Sequence, residues 1–86
     1  MKKIVFSEHA LFKIELLRRH SIVIDRNFIE NTIIYPDKTD HGYKGRLVAQ
    51  KKLNNDHVLR VVYEEYTDHI LVITLYPGRR ERYEKD

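Results

Sequence analysis

Residues Lys2 to Phe6 alternate weakly between polar and apolar and end at Ser7, whose hydroxyl is suited to accept from an orphan amide of a following helical turn. A short strand leading into a helix is predicted. From Glu8 to about His20, Ala10, Ile14 and Leu17 share one helical face, with Glu8 near the positive end and Arg18, Arg19 and His20 near the negative end. Ser21 to Asp25 breaks the helix with β-branched residues, and Asp25 can cap a second one in which Phe28, Ile29, Thr32 and Ile33 fall on one side. Tyr35 precedes Pro36 and is pushed out of helical geometry, so Pro36-Asp37 opens a turn.

Asp37 to Gly45 is polar, contains Gly42, and reads as a mobile loop with room for a short extended piece. Leu47, Ala49 and Lys51 then alternate with Val48, Gln50 and Lys52, and Asn54-Asn55-Asp56 supplies the residues that close a hairpin. A second strand, Val58 to Tyr66, and a third, His69 to Tyr76, meet at Thr67-Asp68. The last is apolar at nearly every position and is expected to be central and covered. The order is β-α-α-β-β-β, an α+β fold with two N-terminal helices packed on an antiparallel sheet.

At 86 residues, with 42% apolar and 34% charged positions, the chain fits a single domain over residues 1–86. A domain this small buries only about 60% of its unfolded surface, so a dinucleotide-binding fold, a barrel enzyme and a deep two-domain cleft are excluded and any site is shallow. No cysteine is present, which removes disulfides, thiolate metal sites and cysteine nucleophiles, and suits a reducing cytoplasm. The apolar run Ile70 to Tyr76 is far short of the ~20 residues of a membrane helix, and no membrane partner is expected.

The net charge of +3 conceals segregation. Lys44, Arg46, Lys51, Lys52 and Arg60 face a single acid, Asp56, in their stretch; Lys13, Arg18 and Arg19 make the first helix basic, and Arg79, Arg80 and Arg82 lie near the C-terminus. Tyr43, Tyr63, Tyr76 and Tyr83 are interleaved with these cations, the combination that holds phosphates while bases stack. The plain alternative is a solvated surface.

His9, His20, His41, His57 and His69 show no metal-binding spacing, and neither a P-loop nor a nucleophile elbow is present, so no metal or cofactor is expected. Metal-independent RNA cleavage needs only a group to take the 2′-OH proton, cations for the phosphate and an acid for the leaving 5′-oxygen. His9, four residues before Lys13 on the first helix, could move protons or simply hydrogen-bond a nearby loop. Arg60 stands in mid-strand between Leu59 and Val61 and must be paired, with Glu64 or Glu65 as candidate partners, or reach a ligand. Tyr76 could present its hydroxyl at the sheet edge or sit in the core.

Ser7-Glu8-His9-Ala10, Arg18 to Ile22, Gly45 to Lys52, Leu59 to Tyr63 and Ile70 to Tyr76 together resemble a family of small prokaryotic domains of unknown function, the DUF4258 type, over nearly the whole chain. That family looks like a branch of the RelE/ParE toxin superfamily. The resemblance implies a RelE-like fold and a toxin of a toxin-antitoxin system, an mRNA endonuclease acting free or on the ribosome and neutralised by a cognate antitoxin. It implies Arg60, with Lys51, Lys52 and Tyr76 or Tyr83, around the scissile phosphate, sets His9 at the recurrent S-x-H-A start of the family, and leaves His9 or Tyr76 to transfer protons. Lys13, Lys44, Arg46, Arg79 and Arg80 would extend the RNA-binding surface. The chain departs from the RelE pattern in that Arg79 and Arg80 follow Pro77-Gly78 and no arginine falls inside the expected last strand. ParE-type relatives poison gyrase instead of cutting RNA. A non-catalytic RNA-binding or protein-interaction module, docking through a sheet edge, is the alternative.

Overall fold

The computed structural model describes residues 2–84. Strand β1 (Lys3–Phe6) leads into helix α1 (Glu8–Arg19), and helix α2 (Arg26–Ile34) follows. Strands β2 (Lys38–His41), β3 (Leu47–Lys52), β4 (His57–Glu65) and β5 (His69–Arg79) come next, and a four-residue helix, α3 (Arg80–Tyr83), comes last. The sheet order is β1-β5-β4-β3-β2.

Local chemistry sets the helix ends. The Ser7 hydroxyl accepts from Ala10 N at 3.0 Å, and Asp25 Oδ1 accepts from Phe28 N at 2.8 Å, so each side chain satisfies one amide the helix leaves open. α1 stops in a Schellman motif, with Ile22 N donating to Leu17 O at 2.8 Å and Ser21 N to Arg18 O at 3.0 Å. Ser21 takes the left-handed conformation there, at φ 66°.

Three features correct the expected sheet. It is mixed, not antiparallel, because β1 pairs with β5 in parallel from Lys3↔His69 to Phe6↔Val72. It also has five strands. The polar stretch read as a mobile loop is a hairpin in which β2 pairs with β3 from Lys38↔Gln50 to His41↔Leu47. A 3-10 turn at Tyr43–Gly45 closes it, with Lys44 and Gly45 at φ 56° and 77°. The last strand, expected to stop at Tyr76, continues through Pro77 and Gly78 to Arg79. Pro77 is tolerated because β1 reaches only as far as Val72, leaving this end of β5 an edge where a missing N–H costs little.

α1 packs on β5, and α2 on β3 and β4. The core between helices and sheet joins Ala10, Leu17, Ile29 and Ile33 to Phe6, Ala49, Leu59, Val61, Tyr63, Val72 and Leu75. Ala49, Val61 and Leu75 stand directly opposite one another and define the helix-covered face. Neighbouring residues along each strand therefore point to the other face, where the short α3 packs on β4 and β5.

Candidate functional site

Lys38, Gln50, Arg60 and Tyr76 form one cross-strand row over β2, β3, β4 and β5, on the face away from α1 and α2. Tyr76 joins that row because of a β-bulge. Near the turn Glu65 pairs with Ile70, whereas beyond the irregularity at Val62/Tyr63 Arg60 pairs with Tyr76. An unbroken register would set Leu75 against Arg60. Ile73, left without a partner on β4, accepts from the Ser7 hydroxyl at 2.9 Å, so the α1 cap also holds the bulge.

Arg60 is 8% exposed, and its guanidinium is surrounded by polar partners. Nε donates to the Tyr76 hydroxyl oxygen at 3.0 Å, while Nη1 donates to Gln50 Oε1 and, at 3.3 Å, to Asp40 Oδ2. The Tyr83 ring lies 4.4 Å from the guanidinium carbon, a cation–π contact. Tyr83 is held by its carbonyl, which accepts from Gln50 Nε2 at 3.3 Å, and by Gly78 beneath it. A Cβ on Gly78 would lie 2.3 Å from Tyr83 Cε2, so only glycine lets the ring settle onto β5. The start of α3 is anchored by Arg80, whose N–H donates to Asp56 O at 2.9 Å and whose Nη1 donates to Asn55 O at 3.0 Å.

Chemically, the cluster offers one fixed positive charge, a hydroxyl and an aromatic ring. Tyr76 oxygen accepts from Arg60, and among the described residues its own proton has no acceptor, so it can be donated to an incoming one. The neighbouring Glu64 carboxyl is held below its ordinary value, first by the Tyr66 hydroxyl at 2.8 Å and then by Arg46 at 3.2 Å.

The fold brings some of the expected site residues together and disperses others. Arg60 and Tyr76 touch, and Arg46 and Lys52 share their face, Arg46 paired with Glu64 and Lys52 exposed at the end of β3. Lys51 points to the helix side and donates to Tyr35 O at 2.8 Å, where it caps the C-terminus of α2. His9 is exposed and Lys13 half-buried on α1, in the helical layer, so the sheet separates them from Arg60. Lys44 is at the tip of the β2–β3 turn, 5.5 Å from the Tyr43 ring. Arg79 sits in the register position of the helix-side row and faces Glu81 at 3.9 Å, and Arg80 is tied to Glu84 at 2.7 Å.

Sequence reasoning missed Gln50, Asp40 and Gly78. Gln50 was within reach, because Gln50 and Arg60 lie equally far from Asn55 at the centre of the predicted hairpin. Asp40 carried no such signal, since β2 was not expected to pair. Among the described residues no three His, Asp or Glu side chains gather to hold a metal ion, and no helix is long and apolar enough to cross a membrane.

Comparison with known proteins adds a family but no annotated neighbour. No curated protein and no solved structure gives a significant match. A family model described as Domain of unknown function (DUF4258) matches residues 6–77, from the end of β1 to Pro77 in β5, and so takes in every strand of the Arg60 row. The chain belongs to that family.

Proposed function

We propose that this protein is a RelE-like, toxin-type domain of the cytoplasm that acts on RNA without a metal ion through the Arg60 face. One observation carries the reading: a nearly buried arginine on the open sheet face, bonded to a tyrosine hydroxyl that still has its proton to give. In cleavage, the 2′-oxygen attacks phosphorus as its proton passes to water, and the bond to the 5′-oxygen breaks. Tyr76 hands that oxygen a proton and is reprotonated from solvent, while Arg60 offsets the charge that builds on the phosphate. Arg46 and Lys52 share the face and would track the backbone on either side. His9 has no part in this reading. A cognate antitoxin would neutralise the protein by covering the same face.

The test is cleavage of single-stranded RNA by purified protein, alone and with translating ribosomes, with Tyr76→Phe and Arg60→Lys as variants and thermal melts as fold controls. Loss of about 100-fold or more in rate is expected for each folded variant. Cleavage at the wild-type rate by both would sink the assignment.

A second reading, a non-catalytic RNA-binding module, is favoured by the fact that Asp40 and Gln50 already engage Arg60. It predicts salt-sensitive binding with intact RNA recovered. Docking through a sheet edge has less support. Both edge strands are four residues long, and Pro77 removes a donor where β5 extends past the end of β1.

A further inference from the structure

We propose that Asp40 is an internal stand-in for a ligand phosphate: it occupies the anion position at Arg60 and must be displaced before an RNA phosphate can bind. The inference rests on the phosphate-binding reading of the Arg60 face, although inorganic phosphate tests it without RNA.

The three polar partners of Arg60 are unequal. Gln50 and Tyr76 are neutral and come from the two neighbouring strands of the same row, Gln50 buried beside the guanidinium and Tyr76 half-buried. Asp40 comes from the edge strand β2 and reaches a single nitrogen at 3.3 Å, longer than the roughly 2.7–2.9 Å of a well-formed charge-assisted bond. Its side chain is 42% exposed while that of Arg60 is 10% exposed. The same oxygen, Oδ2, also faces Lys38 at 3.7 Å. A carboxylate that is half in water, contacts one nitrogen and is shared with a second cation is the partner most easily exchanged.

A phosphate meets the site on better terms. It can take two guanidinium donors at once and also accept the free proton of Tyr76. While Asp40 stays in place, however, its negative charge repels that phosphate across a short distance in a partly dry environment, which weakens binding. Lys38 gives the displaced carboxylate a partner within its own strand. Asp40 therefore sets how strongly an anion must bind before the site opens, and it keeps a nearly buried arginine compensated when no ligand is present.

The experiment compares wild type, Asp40→Asn and Glu64→Gln. Asp40→Asn keeps an oxygen acceptor for Arg60 but removes the competing charge. Glu64→Gln removes an equal charge from the same face, beside Arg46. Single-stranded RNA binding by fluorescence anisotropy is expected to tighten by roughly five- to tenfold in Asp40→Asn and far less in Glu64→Gln. Inorganic phosphate should raise the melting temperature of Asp40→Asn more than that of the other two proteins. An equal gain in Glu64→Gln, or no gain in Asp40→Asn with either RNA or phosphate, overturns the proposal. A phosphate effect confined to Asp40→Asn with no RNA binding by any of the three upholds the role of Asp40 and defeats the RNA reading instead. If Asp40→Asn does not fold, NMR of the wild type during phosphate titration decides: the Arg60 Nε–Hε and Asp40 carboxyl signals must move together, and a fixed Asp40 signal overturns the exchange.

Discussion

At the scale of single residues, the Arg60 site depends on an atom that is missing. Gly78 has no Cβ, and that gap lets the Tyr83 ring lie on β5 and cover the guanidinium of Arg60. In Gly78→Ala the new methyl meets the ring at 2.3 Å, against backbone that cannot retreat without breaking the pairing of Gly78 with Val58. We expect a loss of about 1–3 kcal/mol by denaturant unfolding, the usual range for overpacking. The same substitution made in a Tyr83→Ala background should cost little. Equal losses in both backgrounds would show that the ring is not the cause. None of this was legible from the chain, where Pro77-Gly78 reads as a strand terminator because nothing local announces an aromatic ring five residues ahead folding back onto it.

Elements were more legible, because their ends are decided by side chains acting on adjacent backbone. Ser7, Asp25 and the Tyr35-Pro36 boundary behave as their chemistry dictates, and Asn54-Asn55-Asp56 closes the β3–β4 hairpin. The end of α1 carries a cost of its own. Ser21 holds the left-handed position of the Schellman motif, which glycine fills without steric penalty. Relief of that strain outweighs the added freedom of an unfolded glycine, so Ser21→Gly is expected to stabilise the protein by roughly 0.5–1 kcal/mol. A lower denaturation midpoint with an unchanged m-value would contradict this. The β2 strand and the bulge on β5 escaped sequence reasoning for a different reason. Lys38 to His41 has no apolar alternation, so its pairing reflects the turn at Tyr43–Gly45 and the waiting edge of β3. At the bulge the Ile73 carbonyl accepts from Ser7, at the other end of the chain, a contact no local window contains.

For the molecule as a whole, surface charge sets a stability window in pH. Hydrogen bonding with Arg18 lowers the Glu15 carboxyl from its ordinary 4.5, the Tyr66 hydroxyl followed by Arg46 lowers Glu64 from 4.5, and His69 lowers Asp68 from 3.8. A depressed carboxyl contributes stability that is present above its unfolded value and is lost as pH falls through its folded one. Tyr63, raised above 10.0 by burial, and Tyr66, raised by its bond to Glu64, act in the opposite direction. Their contribution is present below 10.0 and is lost as pH rises through the folded values. Melting temperature should therefore be flat in the middle range, falling below about pH 4.5 and above about pH 10. Glu64→Gln should flatten part of both limbs, since Glu64 acts on one side and its partner Tyr66 on the other. Composition and periodicity by themselves determined a small α+β domain, its two capped helices and its meander, because those depend on neighbours a few residues apart. Tertiary structure alone decided that β1 runs parallel beside β5, that His9 and Arg60 lie on opposite sides of the sheet, and that Asp40, Gln50, Tyr76 and Tyr83 converge on one guanidinium. Those outcomes follow from strand order and register, which are set by which surfaces bury together across the whole chain and which no local window contains.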